Sequence, residues 1–189
     1  DHALHADIAA RLAARLDAAV LITPRVYADE MSDDPASHYR DLSAALPGDM
    51  PLFHCGSNIV AGADPLAAGT SLARRHISQR LILWDNIYCN DYCPRRLFVG
   101  RHAGRDGIAE LMLNGTGMIE TDLLLLSVMQ AGDDDAAWRA ALAEAGVPDA
   151  FFALAPWFDL GVANDRAPSP PAEPEQAHFN AIETLLWKW

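Results

Sequence analysis

The stretch "RLILWDNIYCNDY", residues 80–92, decides how the rest of the chain is read. Its first half is a short apolar run, the pattern of a strand buried on both faces. Its second half crowds Asp85, Asn86, Asn90 and Asp91 behind Trp84. Turns favour Asp and Asn, so capping of the local backbone is the ordinary explanation for them. Amides and carboxylates at the mouth of an apolar strand also suit a pocket that reads the hydroxyl groups of a small polar ligand.

Working outward, comparable apolar runs occur in "AAVLITP" (18–24), "PLFHCG" (51–56) and "IAELMLN" (108–114). Between and after them the spacing predicts helices over 3–17, 33–46, 64–79, 120–130, 135–146 and 147–158, with Gly146 ending the fifth. In the first helix Leu4, Ile8, Leu12 and Leu16 recur at four-residue steps and are expected to share an apolar face. Strands about thirty residues apart, each followed by a helix or long crossover, give the rhythm of parallel β/α units. Four such units make half of a (β/α)8 TIM barrel or a small doubly wound sheet. Residues 166–176, "RAPSPPAEPEQ", read as a Pro-rich linker, and helical spacing returns over 177–189. The expected organisation is a barrel segment over 1–165, the linker, and the start of an appended helical segment.

The chain has 189 residues, enough for a real core, and 51% hydrophobic against 21% charged residues excludes wholesale disorder. Its net charge of −12 repels phosphate backbones and anionic lipids, so neither nucleic acid nor a membrane is an expected partner. Cys55, Cys89 and Cys93 cannot all pair within one chain, which favours a reducing, cytoplasmic setting. These cysteines with His54 and His102 lack the paired spacing of a zinc site. Arg95, Arg96, Arg101 and Arg105 are expected to pair with carboxylates and hold the long loop after residue 84.

In β/α proteins the loops at the carboxyl ends of the strands converge on one face and carry the chemistry. Those ends deliver Pro24, Arg25 and Tyr27, then His54, Cys55 and Gly56, then Trp84 to Asp91, and finally Asn114. Aromatics with Asn and Asp, and few cations, suit a sugar: the polar groups bond its hydroxyls and an aromatic face covers its C–H groups.

"LWDNIYCNDYCPRRLFVGRHAGR" followed by "MLNGTG" resembles the family 84 glycoside hydrolases, β-N-acetylglucosaminidases that include protein O-GlcNAcase. The family pattern of Trp-Asp-Asn, Asn-Asp-Tyr, Arg-Leu-Phe-x-Gly, Gly-Arg and a later Asn is kept over residues 84–114. "PRVY" and "HCG" align more weakly upstream, and the resemblance runs over roughly residues 3–130. It implies a β/α barrel of which this chain supplies about the last four units plus C-terminal helices. It also implies removal of β-linked N-acetylglucosamine by a substrate-assisted retaining mechanism, with no cofactor and no metal. Asn86, Asp91 and Asn114 would bond the sugar, Trp84 and Tyr27 would wall its acetamido group, and Tyr27 would support the chemistry.

The family's consecutive catalytic aspartates are expected upstream of residue 1, in a missing N-terminal half of the barrel, so this piece alone should be inactive. Asp33-Asp34 and Asp133 to Asp135 sit at helix starts, where acidic residues favour the dipole, and do not substitute. The substrate would be a glycoside or an O-GlcNAc-modified protein. A homodimer is left open, and so is the alternative of a catalytically inactive sugar-binding or scaffold protein. Departures from the pattern fall at Tyr88-Cys89, for His-Ala, and His54-Cys55, for Trp-Thr, leaving the pocket wall and the aglycone undetermined.

Overall fold

The computed structural model describes residues 2–60, 71–89, 98–105, 107–152 and 175–188. They fall into two compact units, one of residues 1–86 with 104–113 and one of 87–103 with 114–189.

The first unit is built on a parallel sheet of β1 (Leu52–His54), β2 (Leu81–Asp85) and β3 (Leu111–Leu113), in that spatial order. Leu52 pairs with Leu81, and Trp84 pairs with Met112. The run at 18–24, expected as a full strand, contributes one parallel bridge from Ile22 to Leu52. Ile22 donates to the Pro51 carbonyl at 3.1 Å and accepts from Phe53 N–H at 2.9 Å. Pro24, two residues on, has no N–H to continue such a ladder. The architecture is therefore mixed α/β with a small parallel sheet in chain order; a closed eight-stranded barrel is not present among the described residues.

One face of the sheet is covered by α1 (His2–Arg15), α2 (Pro35–Ala45) and α3 (Leu72–His76), with α2 packing on both of the others. Their core joins Ala6, Ala9, Tyr39, Leu42 and Ala73 to Ile22, Val26 and Leu52. α2 starts as its sequence dictates: Asp34 accepts from Ser37 N–H at 3.0 Å and Pro35 occupies the first turn. α3 occupies only the end of the helix expected over 64–79, whose first part lies outside the described residues.

Two expectations need correction. In α1 the buried side chains are Ala6 and Ala9, while Leu4, Ile8, Leu12 and Leu16 are exposed. The alanines bring the helix close to its neighbours, and the leucine stripe lies off the contact. The strands are also not evenly buried on both faces: on the face away from the helices Ile82 is buried, but its neighbours in the sheet are not. Along 21–28 burial alternates strictly, with Ile22 and Val26 inside and Leu21, Thr23 and Arg25 outside. On the face away from the helices Phe53 and Trp84 are half-buried and Met112 is 36% exposed.

Gln79 locks α2 to the start of β2. Its Nε2 donates to the carbonyls of Ser43, Leu46 and Pro47 at 2.9, 3.1 and 3.4 Å, and its Oε1 accepts from the Ser43 hydroxyl at 2.8 Å. These carbonyls lie at the end of α2, where intrahelical partners run out.

In the second unit α4 (Ile119–Ala131) packs on α5 (Asp135–Glu144), and a helix we label α6 spans Gln176–Lys188. Asp134 caps α5 by accepting from Ala136 and Ala137 N–H at 2.9 and 3.1 Å. Gly146, at φ 79°, ends it: its N–H bonds the Ala143 carbonyl and that of Val147 bonds the Leu142 carbonyl. The helix expected over 147–158 is seen through Phe152 only, and residues 166–174 of the linker lie outside the described residues.

Replacing Gln79 by Ala should lower the unfolding free energy by about 2 kcal/mol, because buried carbonyls lose their donor. Ser78→Ala, at an exposed neighbour, should cost under about 0.5 kcal/mol. Urea denaturation of both variants measures the difference.

Candidate functional site

The carboxyl end of β2 brings three of the expected side chains into one unit. Trp84 meets Tyr27, from the segment after the Ile22 bridge, with ring centroids 5.4 Å apart and tilted by 32°. Phe53 of β1 stands edge-on to Trp84 at 6.1 Å. The Trp84 Nε1–H is buried without a hydrogen-bond partner among the described residues. Such an orphaned donor costs on the order of 1–3 kcal/mol.

Asn86 follows two residues on and is 3% exposed. Its Nδ2 donates to the Ile59 carbonyl at 2.9 Å and to the Cys55 thiol at 3.3 Å. Ile59 is held in turn by Glu30, which accepts from Ile59 N–H at 2.6 Å and from Asn58 Nδ2 at 2.8 Å. Backbone bonds fasten the same two loops together, Cys55 N–H to the Tyr27 carbonyl at 2.7 Å and Asp29 N–H to that of Gly56 at 3.0 Å.

Beneath these loops lies a buried polar chain. Gly56 N–H donates to His54 Nδ1 at 2.9 Å, which places the imidazole proton on Nε2. Nε2–H then donates to the Tyr39 hydroxyl at 2.8 Å, and that hydroxyl donates to Asp29 Oδ1 at 2.9 Å. Burial pushes the His54 pKa down to about 4, so the ring is neutral and its 3.9 Å approach to Asp29 is no ion pair at neutral pH. Burial, with the Asp29 charge beside it, pushes the Tyr39 phenol far up. Burial also raises the Asp29 carboxyl, against the hydrogen bonds from Tyr39 and Leu72 N–H and the charge of Arg75.

Asp85 points the other way from its two neighbours. It is fully buried and receives Arg105 in a two-pronged ion pair, Nε to Oδ2 and Nη2 to Oδ1, both at 2.9 Å. Arg105 thus holds the loop as expected. Arg101 does so differently, donating to the Asp133 backbone carbonyl at 2.7 Å. Arg95 and Arg96 lie outside the described residues.

Asn114 belongs to the second unit, where its Nδ2 donates to the Cys89 thiol at 3.2 Å. The turn that follows is tied to α4: Asp122 accepts from Thr116 N–H and Oγ1 at 2.7 and 2.8 Å and from Gly117 N–H at 3.1 Å. A Cβ on Gly115 would stand 2.8 Å from that carboxylate, so the turn closes only with glycine there unless Asp122 moves. Asp91 lies outside the described residues, as do Asn90 and Cys93.

Sequence reasoning did not assign roles to Cys55, Cys89, Tyr39 or Asp29; no spacing rule links them, and only the departures at His54-Cys55 and Tyr88-Cys89 pointed at two of the positions. Among the described residues no group of three or more His, Cys, Asp or Glu side chains could hold a metal ion. A groove of about 670 Å³ opens at the opposite, amino ends of β2 and β3, where Arg80 pairs with Glu110 at 2.8 Å.

A family model described as beta-N-acetylglucosaminidase matches residues 2–119, more than half of the chain. The chain belongs to that family. Among solved structures, an aspartate-to-asparagine mutant of the O-GlcNAc hydrolase of Thermobaculum terrenum aligns with it at a TM-score of 0.64 and 18% identity. The alignment covers 90% of this chain and 39% of the other, so this chain spans about two fifths of its neighbour's length. At that identity the likeness establishes the shared fold.

The buried His54 gives a pH signature. Its folded pKa lies below the ordinary 6.5, so the unfolded chain takes up its proton first; stability is full above about 6.5 and falls toward about 4. The loss should reach about 3 kcal/mol, at about 1.4 kcal/mol per pH unit. Asp29, raised above 3.8, takes its proton first in the folded state and offsets part of that loss at the acid end. Urea midpoints between pH 7 and 4 should therefore drop more for the wild type than for His54→Gln; parallel curves would remove His54 as the source.

Proposed function

We propose that this chain forms the sugar-holding side of a β-N-acetylglucosaminidase acting on a β-linked N-acetylglucosamine, on a glycoside or a modified protein. The observation that carries the reading is Asn86, buried at the end of β2 beside the Tyr27–Trp84 aromatic pair and fixed by two donated hydrogen bonds. Asn86 bonds ring hydroxyls, and Trp84 and Tyr27 wall the acetamido group, with the Tyr27 phenol steering it. Asp91 and Asn114 join as further hydroxyl ligands on the family resemblance.

Holding the sugar in a near-attack geometry lets its own acetamido oxygen displace the leaving group at the anomeric carbon, giving an oxazoline that water reopens with retention. One carboxylate polarises the acetamide and another serves as acid, then base. The consecutive aspartates of this chain do not supply them: Asp34 and Asp134 cap α2 and α5. We place the carboxylates on further barrel strands joined to this segment. Two findings favour that: the neighbour extends well beyond the aligned region, and the sheet face carrying Phe53, Trp84 and Met112 is only partly covered. Buried thiols at Cys55 and Cys89 favour a reducing, cytoplasmic setting.

In the complete protein, Asn86→Ala or Asp91→Ala should lower kcat/KM for an aryl N-acetylglucosaminide on the order of a hundredfold with the fold intact by circular dichroism. Unchanged turnover would discard that residue as a sugar ligand. Binding of N-acetylglucosamine with no turnover by the complete wild-type protein would replace the enzyme by a sugar-binding protein of the same fold.

A further inference from the structure

We infer that the buried thiol of Cys55 is a positioning group that fixes which edge of the Asn86 carboxamide meets the sugar, an inference that rests on the proposed sugar site. The same contact occurs twice, once in each unit. Asn86 Nδ2 donates to Cys55 Sγ at 3.3 Å, and Asn114 Nδ2 donates to Cys89 Sγ at 3.2 Å. Both sulfurs belong to fully buried residues, so water does not compete for these donors.

The chemistry explains why such contacts matter. A carboxamide is nearly symmetric in shape, and its last torsion is broad and roughly two-fold. Turning it over exchanges an acceptor for a donor at the edge offered to a hydroxyl. An acceptor kept on the NH2 edge prevents that exchange. For Asn86 the Ile59 carbonyl and Cys55 are two such acceptors. Cys55 also ties the site together through its backbone, since its N–H donates to the Tyr27 carbonyl at 2.7 Å. One residue thus sets the amide edge of Asn86 and the height of the loop bearing Tyr27. A thiol suits the task because it fills the buried space while accepting only weakly.

The test uses the protein labelled with 15N-asparagine, reading the side-chain amide protons of Asn86 and Asn114 and titrating N-acetylglucosamine. Cys55→Ala should speed exchange of the Asn86 amide protons and weaken sugar binding by about tenfold, and Cys89→Ala should speed exchange of the Asn114 amide protons. Cys55→Ser keeps an acceptor and should restore binding to within about threefold of the wild type. A merely structural role would leave Ala and Ser variants alike and the amide signals unmoved. Unchanged amide exchange in Cys55→Ala overturns the inference, as does binding within twofold of the wild type. Should Cys55→Ala not fold, Cys55→Ser decides by the same readings and Cys89→Ala by amide exchange. If the wild type binds no sugar, the functional reading fails by itself, while amide exchange still decides what the thiols do.

Discussion

The arrangement depends on one buried ion pair, Asp85 with Arg105. Asp85 ends the middle strand of the sheet, is fully buried, and has both carboxylate oxygens met by the guanidinium at 2.9 Å. Removing either partner alone would strand a charge in a low dielectric, a loss of about 3–5 kcal/mol. Strand alternation converts this demand into a site. With Asp85 fixed on the helix-covered side, Trp84 and Asn86 have to leave by the other. A slip of one residue would bury an amide and an indole among helices and expose the charge. Arg105 lies where the chain returns toward β3, so the same pair anchors the end of the long excursion between the strands.

The two faces of the sheet follow different rules. Under α1 to α3 the core is dry and closed with alanines, Leu42, Leu52 and Tyr39, and its polar members are satisfied in pairs or chains. On the opposite face the aromatics are half-covered, and one indole donor lacks a partner among the described residues. A surface of this kind is costly to leave in water. It agrees with a role inside a larger β/α array, where that face would line the interior. His54 shows how the two regimes are joined: it grows from the strand face that meets the helices, stays neutral, and passes its proton-bearing nitrogen to Tyr39 rather than to solvent.

Much of this was legible because it is local. Asp34-Pro35 and Gly146 act through bonds within a few residues, and both helix ends fall where those residues say they must. The parallel rhythm was legible because strands covered by helices read as apolar runs. Arg105 was expected to find a carboxylate, although the partner, twenty residues back in the chain, was not foreseen. What escaped was non-local. The stripe of Leu4, Ile8, Leu12 and Leu16 has a perfect helical period, yet the closer approach through Ala6 and Ala9 decided which side of α1 faces the core. Nothing in its local sequence marks Gln79, and only the end of α2, more than thirty residues away, makes it a clamp. Trp84, Asn86 and Asn114 were nameable from the motif; the thiols that hold the two amides were not, since hydrogen bonds to sulfur leave no sequence period.

Charge completes the argument about what such a site can accept. The chain carries a large negative excess, and Arg105, which follows the long loop, is already committed to Asp85. The groups that β2 presents are instead an amide and aromatic rings, which bond and cover a neutral molecule without a charge partner. The proposed amino-sugar would meet those conditions, because its hydroxyls and acetamide need donors and acceptors in fixed directions more than they need field. Direction, in turn, is what a buried network provides: Glu30 fixes Ile59, Ile59 and Cys55 fix Asn86, and the Asp29–Tyr39–His54 chain fixes the loops that carry them. The selectivity of such a surface therefore lies in rigid, uncharged hydrogen-bond geometry, and its weak points are the buried contacts beneath it rather than the groups it presents.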